Sequence, residues 1–300
     1  MKNINSNKTP IYRDSGFYLA TTENTLKTFK SEVEHPHEPE NYIYSRYRNP
    51  TVVAAEKHIA KVENAEWALL AQSGMAAIDI ALSIFQEAND NLPWLFFTEI
   101  YGGTNSFIDL VLKRRRGINI HRFSPDGDSY NIDAYVSALD KYKPKLVYFE
   151  AISNPMLIVA DVKAIIGEAK KRGIITIIDN TFATPYLWKP LEDDADIVVH
   201  SATKYLSGHG NISAGVLCGN KKEYMQAAIE YRKWVGHMIS PDDAYRLNTQ
   251  LHTFELRVKQ QMESAFKLAK FLEAHEKIEK VIYPGLSSHP THKIASELLK

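Results

Sequence analysis

Cysteine is nearly absent. Cys218 is the only one in 300 residues, so no disulfide can form within the chain, which suits a reducing compartment. An excess of either charge is also missing. Thirty-six Lys and Arg balance thirty-six Asp and Glu, which argues against nucleic acid or an anionic membrane as the main partner. No stretch reaches the roughly 18 uninterrupted apolar residues of a membrane span. The polar opening MKNINSNKTPIYRDSG lacks the apolar centre of a signal peptide. There is no solenoid-period repeat and no low-complexity tract. These absences predict a cytoplasmic protein. The 44% hydrophobic and 24% charged content is that of an ordinary globular chain, and the length suits one large domain plus part of a second.

The pattern along the chain predicts an α/β protein. Residues 1–50 read as an irregular N-terminal arm; EVEHPHEPE, with two prolines and no apolar periodicity, reads as loop. From residue 51 a large domain begins. Thr51 is a candidate helix cap before VVAAEKHIAKVE. Short apolar strands then alternate with turns and helices. The strands are ALLA, LPWLFFTE, LVYFEA, IITIIDN and DIVVHSA; the helices are MAAIDIALSIF, NSFIDLVLKRR and DVKAIIGEAKKRG, the last stopped by Gly173. Continuous Val/Ile strands separated by helices mark a mostly parallel sheet covered on both faces. Its strand C-termini would line one edge, where ligands bind. Beyond residue 244 the chain reads as one long helix, then a strand-like KVIYP, then the start of another helix. The expected division is therefore an arm at 1–50, a cofactor-binding domain at 51–244 and the start of a C-terminal α+β domain at 245–300, which is expected to be incomplete.

Four places carry candidate chemistry. HSATKYLSGH follows directly on the strand DIVVH. A lysine at the mouth of a parallel sheet is costly to bury as a cation, and a Schiff base to a carbonyl cofactor resolves this for Lys204. The hydroxyls of Ser201 and Thr203 suit phosphate oxygens. Asp179 ends the strand IITIIDN, where a carboxylate calls for a cation such as the pyridinium of pyridoxal phosphate (PLP). Gln72-Ser73-Gly74-Met75 precedes a helix, and open N–H groups at a helix start form an anion site. Tyr101, in YGGT after a strand, offers a ring to stack on a pyridine face. Each taken alone also has a plain structural reading: a solvated turn lysine, a capping carboxylate, an ordinary strand-to-helix turn and a core tyrosine.

Taken in order, these motifs are specific. DNTFATPYLWKPLEDDADIVVHSATKYLSGHGNISAG resembles the cofactor-lysine region of the Cys/Met-metabolism PLP enzymes, the trans-sulfuration family. YSRYRNPT, LAQSGMAA, YGGTN, SNPML, SPDDAYRL, LHTFELR and YPGLSSHPTH resemble further family segments, so the likeness runs from about residue 10 to 300. It implies the aspartate-aminotransferase-like α/β fold (fold type I) and PLP as cofactor. Lys204 would form the Schiff base and move protons, and Asp179 would pair with the ring nitrogen. Ser201, Thr203, Ser73 and the backbone of Gly74 and Met75 would bind the phosphate. Tyr101 would stack on the ring and assist at the leaving group. Asn154 would bind the phenolic oxygen. Tyr44 and Arg46 would reach the phosphate of a neighbouring subunit, in an assembly built as a dimer of dimers.

The implied activity is γ-elimination or γ-replacement on a small sulfur amino acid or homoserine ester, of the cystathionine γ-synthase or γ-lyase type. Methionine γ-lyase, O-acyl-homoserine sulfhydrylase and a non-catalytic PLP-binding homologue are the alternatives. SATKYLSGHGNISAG leans toward the methionine γ-lyase form, whereas YGGT lacks the cysteine usual there. The resemblance puts the family's substrate-carboxylate arginine beyond residue 300. His35 and His37 with Glu34 and Glu38 read as a solvated loop rather than a metal site. Lys113–Arg116 read as a helix C-terminus, Cys218 as a small core residue, His209 as support for the loop after Lys204, and His200 as a core group.

Overall fold

The computed structural model describes residues 7–34, 39 and 41–299. Two compact units emerge, each made of two sequence segments: residues up to Phe85 with Ser201–His252, and Gln86–His200 with Thr253–Lys300.

In the first unit, helix α1 (Thr22–Glu34) occupies part of the expected irregular arm. Its apolar residues did not signal it, because they face out. Leu26 and Phe29 are 69% and 49% exposed, while Thr28, Ser31 and Glu32 are buried. Helix α2 (Pro50–Glu63) is capped by Asn49, whose side chain accepts from the N–H groups of Thr51 and Val52. The cap is therefore one place before Pro50, not at Thr51, and proline takes the first helical position, where its missing N–H costs nothing. Strand β1 (Trp67–Ala71) leads into helix α3 (Gly74–Ser83).

The next stretch of chain belongs to the second unit: β2 (Trp94–Phe97), α4 (Gly102–Phe107) continuing as a π-helical segment Ile108–Lys113, β3 (Ile120–Phe123) and α5 (Ile132–Tyr142). Then come β4 (Leu146–Glu150), α6 (Val162–Lys170), β5 (Ile175–Asp179), α7 (Thr184–Leu187) and β6 (Ile197–His200). These five strands pair in parallel in the order β3-β2-β4-β5-β6. β2, β4 and β6 are buried at every position, as near-continuous apolar runs require in a sheet covered on both faces. Register puts Glu150 beside Asp179, and Asp179 beside Val199. The C-terminal ends of three adjacent strands thus meet at one edge.

The chain then returns to the first unit. β7 (Gly215–Gly219) runs antiparallel to β1, with Ala71 opposite Gly215, and holds the fully buried Cys218. Helix α8 (Lys222–Val235) brings Arg232 to Glu56 of α2 at 2.7 Å, and Glu56 also accepts from the N–H of Leu70 in β1. Arg48 lies 3.1 Å from the other carboxylate oxygen. One buried carboxylate thus holds two guanidinium groups. The expected single long helix is two, α9 (Pro241–Leu251) in the first unit and α10 (Phe254–Glu273) in the second. KVIYP is not a strand, and helix α11 (His292–Leu298) follows it. No helix among the described residues is long and apolar enough to cross a membrane. His35, His37 and Glu38 lie outside the described residues.

Candidate active site

The first unit builds an anion cradle. Ser73 caps α3: its hydroxyl oxygen accepts from Ala76 N–H at 3.1 Å, and its carbonyl from Ala77 N–H at 3.0 Å. The N–H groups of Gly74 and Met75 remain at the open helix start, where the helix dipole favours negative charge. Gly74 is required there by close approach. A Cβ on it would lie 3.0 Å from the Cβ and 3.1 Å from the hydroxyl of Ser201. The turn is braced from β7. A Cβ on Gly215 would fall 2.1 Å from the Ser73 carbonyl oxygen, and Ser213 donates to the carbonyl of Gln72.

Lys204 sits on the turn 201–207 and is exposed. The expectation that its charge is costly through burial is therefore corrected: the side chain reaches solvent, and the turn alone fixes its root. Its N–H donates to Ser201 and its carbonyl accepts from Gly208 at 2.7 Å. Thr203, the expected phosphate contact, is also tied to the start of β7. Its hydroxyl donates to the Ala214 carbonyl at 3.0 Å and accepts from Ala214 N–H at 2.9 Å. With its one proton committed, Thr203 pins the lysine turn to the start of β7. His209 bonds the carbonyl of Ser207, the supporting role expected. Arg46 donates to the carbonyl of Lys233 at 2.5 Å and lies over the rings of Tyr44 and Tyr47; Tyr44 itself is 41% exposed.

The second unit supplies a carboxylate edge. Asp179 is buried at the end of β5. It accepts from Thr181 N–H at 3.0 Å and from the Tyr148 hydroxyl at 3.3 Å. Burial raises its pKa, opposed by those hydrogen bonds and by His200. A buried carboxylate held by neutral donors gains most from a cation. Glu150, which sequence reasoning missed, stands beside it, 6% exposed. Its pKa is pushed up to about 9 by burial and then by the charge of Asp179, against the N–H groups of Tyr101 and Asn154 that point at it. Tyr101 is half exposed at the head of α4, and its N–H donates to Glu150 at 2.6 Å. Its ring covers Gly103, where a Cβ would sit 2.4 Å away. Asn154 opens a turn closed by Ser153, whose hydroxyl accepts from Ile158 N–H; the Asn154–Pro155 bond is cis.

An amine on a braced turn, a glycine cradle at a helix start, and a buried acid awaiting a cation are the donor set that pyridoxal phosphate requires. The model of the Cys/Met metabolism PLP-dependent enzymes matches residues 1–300. The chain belongs to that family. The family's cofactor is PLP, and the residues above fit it in kind. Cystathionine beta-lyase of Lactococcus lactis subsp. cremoris is 40% identical over 260 residues, 87% of this chain and 66% of that protein. L-methionine gamma-lyase of Fusobacterium nucleatum subsp. polymorphum is 37% identical over 293 residues, 97% and 71% respectively. An O-acetylhomoserine (thiol)-lyase of Campylobacter jejuni, solved with a pyridoxyl-lysine monophosphate, is 27% identical. It superposes with a TM-score of 0.88 over 98% of this chain and 78% of its own. The chain thus spans about two thirds of the length of the Lactococcus relative. The family membership carries the expected fold type I, an α/β fold with a mostly parallel sheet flanked by helices.

Proposed function

We propose that this chain is the cofactor-bearing part of a PLP-dependent carbon–sulfur lyase acting on a small sulfur amino acid, with cystathionine cleaved on its Cγ side as the leading reaction. The observation that carries the reading is the buried, cation-seeking Asp179 at the end of β5, in a chain whose 40% and 37% identical relatives are named as lyases. When bound, PLP supplies the electron sink that lets bonds at the amino acid's Cα break heterolytically.

The chain's own residues do the rest. Lys204 would hold the cofactor's carbonyl carbon and, with substrate bound, would carry protons away from Cα and then Cβ, which the departure of sulfur from Cγ requires. Asp179 keeps the ring nitrogen protonated. The N–H groups of Gly74 and Met75, with the Ser201 hydroxyl, bind the phosphate. Ser73 shapes that turn, and Thr203 orients the lysine. Tyr101 covers the ring and gives a proton to the leaving sulfur, and Asn154 bonds the phenolic oxygen. Tyr44 and Arg46 serve the site of a neighbouring copy.

In the overall reaction cystathionine and water give cysteine, 2-oxobutanoate and ammonia. Methionine is the second reading, favoured by SATKYLSGHGNISAG and by the Fusobacterium relative.

The test is product analysis with PLP and one amino acid at a time. 2-Oxobutanoate with cysteine from cystathionine alone is the expected result. Pyruvate with homocysteine would move the cleavage to Cβ. Product only when acylated homoserine and a thiol are supplied together would replace the lyase with a synthase. Lys204→Ala is expected to lower turnover by at least about 10³-fold, since the nucleophile and the proton carrier go together. Comparable turnover in that variant would overturn the assignment.

A further inference from the structure

Glu150 has no role in the reading above, yet it is buried at the carboxylate edge of the second unit and accepts from two loops there. It ends β4, side by side with Asp179 in the sheet register. Two N–H groups converge on its carboxyl. One is that of Tyr101, at 2.6 Å across 49 residues of sequence; the other is that of Asn154, in the turn that follows β4. Both donors are backbone groups, so what they fix is the position of two loops, not of two side chains. The Tyr101 loop is otherwise held at its far side by Asn105, which donates to the carbonyls of Thr98 and Ile100. The Asn154 turn is also closed through Ser153 with Leu157 and Ile158, and just beyond it Val159 N–H donates to the Thr291 hydroxyl at 3.1 Å.

We propose that Glu150 is a positioning residue: one buried carboxyl that fixes the Tyr101 loop and the Asn154 turn in register with the end of β5. This rests on the reading of Tyr101 and Asn154 as cofactor contacts. Removing the carboxyl frees both loops at once and leaves two buried N–H groups without an acceptor. Glutamine keeps a carbonyl oxygen at the same reach, so it preserves the tie at least in part. A group that acts by holding others is expected to change rate and cofactor geometry by roughly 10- to 100-fold when lost, as outer-shell groups do.

The experiment compares wild type, Glu150→Ala and Glu150→Gln by hydrogen exchange and by visible circular dichroism after PLP loading. In Glu150→Ala the peptides carrying Tyr101 and Asn154 are expected to exchange together about tenfold faster or more. The dichroism of the cofactor band is expected to fall, and PLP affinity to drop about tenfold. Glu150→Gln should restore protection of both peptides and most of the dichroism. Unchanged exchange in either peptide of Glu150→Ala, or no rescue by glutamine, would overturn the proposal. If Glu150→Ala does not fold, Glu150→Asp decides, because its shorter side chain draws the carboxyl back from both N–H groups: faster exchange at both loops, with the rest of the protein protected, supports the tie, and unchanged exchange with an unchanged band refutes it. Lys204→Ala separates the two readings. It removes the lysine–cofactor band without altering exchange at Tyr101 or Asn154, so a failure of the cofactor assignment leaves the exchange result standing.

Discussion

At the scale of single residues, the informative feature is a pair of neighbouring acids. Glu150 and Asp179 lie beside each other in the sheet, both buried, and burial raises the pKa of each. Besides Asp179, the titratable groups facing Glu150 are the hydroxyls of Tyr148 and Tyr130, neither of which carries positive charge. Two carboxylates so placed do not both ionise readily, and Glu150 is the one kept neutral. The consequence for stability has a definite sign. A carboxyl whose pKa is raised in the folded state favours folding fully below its unfolded value near 4.5, and that contribution is lost as pH rises toward about 9. Glu150→Gln removes the titration and keeps an acceptor. The unloaded variant is therefore expected to match wild type near pH 4.5 and to exceed it increasingly between pH 5 and about 9. Urea unfolding across that range measures the difference; a constant difference, or one that shrinks with pH, would contradict the assignment of the neutral acid.

At the scale of elements, the cradle depends on two strands meeting closely. Gly215 of β7 faces Ala71 of β1, and the carbonyl of Ser73 occupies the space a Cβ would need. Gly215→Ala must push either β7 or the Ser73 turn aside, at about 1–3 kcal/mol. It is expected to lower PLP affinity more than the loss of stability alone explains. Gly167→Ala in α6, where a Cβ meets nothing within 4 Å, is the contrast: it should leave PLP binding unchanged and gain about 0.5–1 kcal/mol from helix propensity. Titration of PLP against both variants checks this.

Gly215 also shows why the sequence was legible only in part. Long apolar strands such as IITIIDN and DIVVHSA carry their own period and were read within a residue or two of β5 and β6. The misses lie where tertiary partners decide. α1 buries Thr28 and Glu32 instead of its leucine and phenylalanine. β3, IHRF, is only partly buried and alternates weakly. Glu150 is visible only once β4 and β5 are set in register. An acid ending an apolar strand, LVYFE, was its one available signal, the same signal that marked Asp179.

At the scale of the whole molecule, ligand and assembly are linked through cofactor binding. PLP that binds only the folded chain stabilises it by RT ln(1 + [L]/Kd), about 2.7 kcal/mol at a hundredfold excess over Kd, which for a chain of this length is a rise in Tm of roughly 4 °C. That rise alone does not reveal whether Tyr44 and Arg46 serve a neighbouring copy, because Arg46 also ties its own chain through the carbonyl of Lys233. Concentration does reveal it. If the phosphate is completed by a second copy, the PLP-induced rise in Tm grows with protein concentration, since each loaded site then requires an associated pair. Arg46→Ala is then expected to lower Tm in the absence of PLP at every concentration, through the lost internal bond, and in addition to flatten the concentration dependence of the PLP-induced rise. Thermal unfolding over a hundredfold range of protein concentration, with and without PLP, separates the two effects. A PLP-induced rise independent of concentration in wild type, together with an unchanged one in Arg46→Ala, would confine both residues to their own chain.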